Sequence, residues 1–182
     1  GDFRGKLNEV AVLYPNGTMP ARRVILVGLG KREKFSLDAI RQAAASVAKK
    51  ARDLGVTHLH TIVHGAGAGG MTPEQAAAAV VEGTLLGLYR FHELKTKLDE
   101  VRPDLAMLTL VEWDAARQTA LEAGARLGQI VAESTLLTRD LVNRPANIAT
   151  PSYMAGIAQH VAAEAGLRCQ VLDKEALTAL GM

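Results

Sequence analysis

Three of the five histidines, His58, His60 and His64, fall within seven residues. Imidazole binds divalent metals and moves protons near neutral pH. Alternate residues of a strand share a face, so His58 and His60, with His64 beyond them, would project together. A zinc site needs a further ligand and hydrogen-bonded outer partners. No Cys, Asp or Glu lies close by in sequence, so packed or surface histidines are the simpler reading. The next segment, Gly65-Ala66-Gly67-Ala68-Gly69-Gly70, fits G-x-G-x-x-G between a strand and a helix. Gly65, Gly67, Gly69 and Gly70 would let backbone N–H groups approach an anion or nucleotide at the positive helix end. The acidic ribose partner should close the next strand ~20 residues later. The corresponding residues 90–97 are charged and do not read as a strand. A tight turn without ligand is the expectation.

Other candidates for chemistry are weaker. Gly28-Leu29-Gly30-Lys31 has Ile25 where a phosphate-binding loop needs its first glycine, and Arg32 where it needs Ser or Thr. Cys169 falls in a segment that reads as a buried strand, hence an inert core thiol. Ser, His and Asp are scattered, with no G-x-S-x-G. Basic and acidic residues number 21 and 19, a balance that gives no electrostatic case for nucleic acid or a membrane surface. The single cysteine forbids an internal disulfide and favours a reducing compartment. No apolar run approaches the ~20 residues of a membrane span. The start at Gly1 resembles neither a signal nor a transit peptide and reads as a cut or processed end.

The elements that would position these residues alternate. Residues 9–14 and 23–27 read as strands, the first closed by Pro15-Asn16-Gly17. Ser36 can cap a helix running to about Leu54, where Gly55 stops it. Residues 57–63 form a third strand. Thr72-Pro73-Glu74-Gln75 is a capping box with Pro at the first helical position, opening a helix to about Phe91. Gly83 and Gly87 share one face of it, where another backbone could approach. A charged loop through residues 92–104 leads to a fourth strand, residues 105–111. Asp114 then caps a helix over residues 115–142, roughly 42 Å long and longer than a domain of ~100 residues is wide. Its charged face invites pairs such as Glu122 with Arg126. Residues 151–165, 168–172 and 174–180 read as helix, strand and helix. The fold class is α/β: a three-layer αβα domain with a mixed, mainly parallel sheet. The boundaries are 1–113 for that domain, 114–142 for a linking helix, and 143–182 for a truncated second α/β domain.

The turn between the last two regions is the most specific sequence. Pro145 biases Arg144 away from the α region. Thr150 and Pro151 suit a helix N-cap and first turn. Asn143-Arg144-Pro145-Ala146-Asn147 and Thr150-Pro151-Ser152-Tyr153 closely resemble the domain junction of the leucyl aminopeptidase family. Gly1-Asp2-Phe3-Arg4-Gly5-Lys6, residues 23–31, Val171-Leu172-Asp173 and Leu180-Gly181-Met182 resemble further segments of those proteins, so the likeness spans the chain.

The resemblance implies a parent that is a cytoplasmic hydrolase, a metalloprotease removing N-terminal residues from peptides. Such proteins use two divalent metals, zinc or manganese, and assemble as homohexamers. Their ligands are a lysine, aspartates and a glutamate in segments that do not occur here. No catalytic residue and no metal ligand is therefore carried over, and this chain alone is expected to be inactive. The same family implies a macro-domain-like fold, the N-terminal and non-catalytic part of the enzyme with a structural or assembly role. Two alternatives stand beside it. One is a nucleotide- or ADP-ribose-binding module using the Gly65–Gly70 loop. The other is a DNA-binding surface, which the charge balance disfavours.

Overall fold

The computed structural model describes residues 2–66, 69–95 and 103–182. In chain order it contains β1 (Val10–Leu13), β2 (Val24–Val27), α1 (Leu37–Asp53), β3 (His58–Ile62), α2 (Pro73–Leu88), β4 (Met107–Val111), α3 (Gln118–Asn143), α4 (Pro151–Glu164) and α5 (Lys174–Ala179). Short 3-10 turns occupy Arg32–Lys34 and Ala115–Arg117. The chain divides into two compact units, Gly1–Leu137 and Thr138–Met182, with the division inside α3.

In the first unit β1 and β2 pair antiparallel, Val10 opposite Val27 and Leu13 opposite Val24. β3 and β4 pair parallel, His58 opposite Met107 and Ile62 opposite Val111. Among the described residues these are two separate two-stranded sheets, one antiparallel and one parallel. The fold is thus mixed α/β, with both strand senses present.

Local chemistry explains the helices. The Ser36 hydroxyl accepts from Ala39 N–H at 3.2 Å, starting α1. Ile40, Ala43, Ala44, Val47, Ala48 and Ala51 recur at helical spacing and are buried. Gly55, at φ +66, ends it. The Val56 N–H then reaches the Ala51 carbonyl at 2.9 Å, closing a Schellman turn. At α2 the capping box forms as the sequence requires, with Gln75 N–H donating to the Thr72 hydroxyl and Thr72 N–H to the Gln75 side chain. The helix stops at Leu88 rather than near Phe91. The Arg52 guanidinium from α1 donates to the Leu88 carbonyl there, at 3.0 Å. Such a bond satisfies an end carbonyl without another turn.

α2 lies between α1 and α3 at backbone contact. A Cβ on Gly83 would come within 2.3 Å of the Arg41 carbonyl oxygen, and one on Gly87 within 2.7 Å of Ala45 Cα. From the other side, a Cβ on Gly124 would reach 2.1 Å from the Glu74 carbonyl oxygen, and one on Gly128 2.4 Å from that of Ala78. Alanine on α2 allows the approach: Ala76, Ala77 and Ala79 are fully or almost fully buried. Ile40, Ala44, Val63, Val80 and Leu121 complete the core with these alanines, and Leu108 and Leu110 of β4 pack against it.

In the second unit Thr150 caps α4 by accepting from Tyr153 N–H at 3.3 Å, with Pro151 in the first turn. Residues 168–172, expected as a strand, are not one. A strand requires a neighbour to take its backbone groups, and these residues pair with none among those described. Val171 and Leu172 are exposed, and Cys169, expected in a buried strand, is exposed too. The long helix also differs in detail. Asp114 caps the 3-10 turn Ala115–Arg117, and α3 proper begins at Gln118.

Candidate functional site

The glycine-rich loop is built by the strand before it and the helix after it. Gly65, Gly69 and Gly70 have φ of +90, +75 and +73, a region L side chains rarely enter. Gly67 and Ala68 lie outside the described residues. Gly65 and Gly69 back onto Phe35, and Ile40 and Met71 also crowd Gly65. Ala66 bridges to Met71, which closes the loop on itself. At the helix end Pro73 has no N–H, Gln75 N–H is taken by Thr72 Oγ1, and Ala76 N–H by the Thr72 carbonyl at 3.0 Å. The Gln75 N–H, one of the donors an anion at a helix start would use, is thus already taken.

The histidines do not converge. His58 and His60 are exposed on one face of β3, opposite Met107 and Thr109 of β4. His64 is half-buried in the loop, and burial pushes its pKa below the ordinary 6.5. It is held neutral. Among the described residues no three His, Cys, Asp or Glu side chains are grouped to hold an ion. The described residues therefore do not fit a two-metal centre.

Sequence reasoning missed Arg117. Its guanidinium donates to the Ala66 carbonyl at 3.3 Å and pairs with Asp114 at 3.2 Å and Glu112 at 3.5 Å. One side chain thus ties the glycine loop to the corner between β4 and α3. The N–H of Asp114 holds the Glu112 carboxyl below the usual carboxylate range, with help from Trp113 N–H and Arg117. The spacing Glu112, Asp114, Arg117 was visible in sequence, but the Ala66 contact spans 51 positions. Glu122 accepts from Gln118 at 2.8 Å.

The junction motif has a physical core. Ile148 and Ala149 N–H groups both donate to the Pro145 carbonyl at 2.9 Å, making the turn. Arg144 donates to the Tyr153 hydroxyl and lies 5.2 Å from its ring centre. Asn-Arg-Pro and Thr-Pro-Ser-Tyr are therefore one interacting unit, with the arginine of the first holding the tyrosine of the second.

Known proteins resemble this chain along its whole length. The family model for the cytosol aminopeptidase family, N-terminal domain, matches residues 1–98. A probable cytosol aminopeptidase of Nitratidesulfovibrio vulgaris is 40% identical over 187 residues, covering 100% of this chain and 36% of its own length. One from Roseiflexus castenholzii is 41% identical over 173 residues, covering 94% of this chain and 35% of its own. Among solved structures, the bottromycin maturation enzyme BotP in complex with Mn superposes with TM-score 0.81 at 30% identity, over 98% of this chain and 35% of that one. A tomato leucine aminopeptidase mutant gives 0.82 at 24% identity, over 100% and 35%, a likeness of fold. The chain spans about a third of the length of these relatives. It belongs to the cytosol aminopeptidase family and corresponds to the family's N-terminal region.

Proposed function

We propose that this chain is the non-catalytic N-terminal part of a metal-dependent aminopeptidase, serving to build and position the assembly. The family match to the N-terminal domain over residues 1–98 carries this reading. The parent would remove N-terminal residues from peptides in the cytoplasm. Two divalent metals, manganese or zinc, would be held in the remainder of the protein, where they polarise the scissile carbonyl and activate water. The parent would act as a homohexamer. No step of that chemistry is assigned to the described residues.

Within this reading the N-terminal domain comprises residues 1–113, the linking helix 114–142, and the start of the catalytic domain 143–182. The domain would be three-layered and macro-domain-like, with both two-stranded sheets belonging to one mainly parallel sheet. Support comes from α1, which packs on β1 and β2 while its Ile40 and Ala44 share a cluster with Val63, Leu108 and Leu110.

The test is leucine p-nitroanilide hydrolysis by the purified chain, with and without added manganese or zinc. No turnover above a heat-killed control is expected. Metal-dependent turnover that co-purifies with the chain through two orthogonal columns would overturn the assignment.

A further inference from the structure

Residues 14–23 join β1 to β2. Within them the Thr18 N–H donates to the Pro15 carbonyl at 3.0 Å, and Asn16 and Gly17 sit between at φ +49 and +88. Two central residues at positive φ make a type I′ turn, which Asn-Gly suits. The Thr18 hydroxyl donates to the same carbonyl at 2.7 Å. Both turn bonds thus come from Thr18, and the Gly17 N–H has no hydrogen-bond partner among the described residues. Asn16 and Gly17 are exposed, and nothing lies within 4 Å of the point where a Gly17 Cβ would stand. The other asparagines, Asn8, Asn143 and Asn147, are placed differently. The nitrogen that follows each is engaged: Glu9 N–H donates to the Lys6 carbonyl at 2.9 Å, Arg144 N–H to that of Asp140 at 3.1 Å, and Ile148 N–H to that of Pro145 at 2.9 Å. None of these nitrogens belongs to glycine, and the Asn8 side chain is itself held by Gln42 at 3.0 Å.

We infer that Asn16 is a site of spontaneous covalent modification, deamidating through a succinimide formed with Gly17 to leave aspartate and isoaspartate in the turn between β1 and β2. The Gly17 nitrogen gives up its proton to solvent base and bonds to Asn16 Cγ. The Cγ–Nδ2 bond breaks, and ammonia leaves with a proton from water. Water then opens the ring. Cleavage at Cγ restores the main chain and leaves aspartate; cleavage at the backbone carbonyl routes the main chain through Cγ and leaves isoaspartate. Water is the only co-reactant. Glycine favours closure because no Cβ crowds the attacking nitrogen. The unpaired N–H favours it because no acceptor has to be given up. Closure also requires rotation about the Asn16 Cα–C bond, which an exposed connection permits through local opening. Each event adds one negative charge to a chain of net charge +2. Aspartate tolerates the left-handed region as asparagine does, so that product keeps the turn. Isoaspartate lengthens the turn by one main-chain atom and loses the type I′ geometry.

The test incubates the purified full chain for days in mildly alkaline and mildly acidic buffer. Tandem mass spectrometry then follows the tryptic peptide 7–22, which carries Asn8 as an internal reference. Asn16 should convert several-fold faster than Asn8, Asn143 and Asn147. Conversion should be faster in the alkaline buffer, because the attacking nitrogen must lose its proton. Part of the product should accept a methyl group from S-adenosylmethionine through an isoaspartate-specific carboxyl methyltransferase. Gly17→Ala should slow conversion several-fold, because its methyl group crowds the nitrogen. Alanine is strained at φ +88, so circular dichroism checks that variant's fold. Asn16→Gln, whose longer side chain would close a larger ring, is the second slow variant. Conversion of Asn16 no faster than that of Asn8, undiminished conversion in both variants, or a product that is wholly aspartate would overturn the inference. So would survival of Asn16 in the folded chain under conditions that deamidate the free peptide 7–22, since the turn would then guard the amide.

Discussion

His64 shows how one half-buried side chain shapes the response to acid. Folding keeps its imidazole neutral, because burial disfavours the charged form. The unfolded chain takes up a proton as pH falls through about 6.5, while the folded chain does so only lower. Stability linked to His64 is therefore intact above pH 6.5 and declines as pH falls through that value toward the folded one. His64→Gln should flatten this arm. Urea melts at pH 7.5 and pH 5.0 would show a smaller loss for the variant than for the parent chain. An equal loss would assign the acid sensitivity to other groups. The position of His64 was legible in sequence, since it follows a clear strand. Its neutrality was not, because burial depends on residues packed around it from elsewhere in the chain.

At the scale of elements, the helix starts were the most legible features. Caps are local: Ser36, Thr72 and Thr150 each meet an N–H three residues on, so a short window of sequence carries the whole interaction. Thr72→Ala removes both a cap and one half of a capping box on the most enclosed helix. The expected cost is about 1 kcal/mol, a fall of several degrees in Tm for the unit, read by circular dichroism. A melt within error of the parent would mean that Gln75 alone satisfies the helix end. Strands were legible only where a partner existed. Residues 24–27 and 168–172 both read as strands, yet only the first is one, with β1 paired beside it. Pairing is a property of two segments, so no pattern within residues 168–172 could decide it. The same dependence exposed Cys169. Arg117 escaped for a related reason, since its target carbonyl belongs to a loop far away in sequence.

For the first unit as a whole, the decisive feature is the contact of α2 with helices on both sides. Gly83 and Gly87 were recognisable as one face of α2, and the structure supplies α1 as the backbone that approaches it. Gly124→Ala should destabilise the unit by about 2–3 kcal/mol through overpacking, seen as a lower urea midpoint with an unchanged slope. A neutral result would mean that α3 slides away freely at that point. The obstacle opposite Gly83, Gly124 and Gly128 is in each case main chain, which has a consequence for how such a sequence can vary. A clash between side chains can be relieved by trimming the partner, so damage at one position is open to rescue at another. A carbonyl cannot be trimmed by any codon. A suppressor screen begun from Gly124→Ala should therefore return reversion or changes that stabilise the unit elsewhere, and no compensating substitution at Glu74.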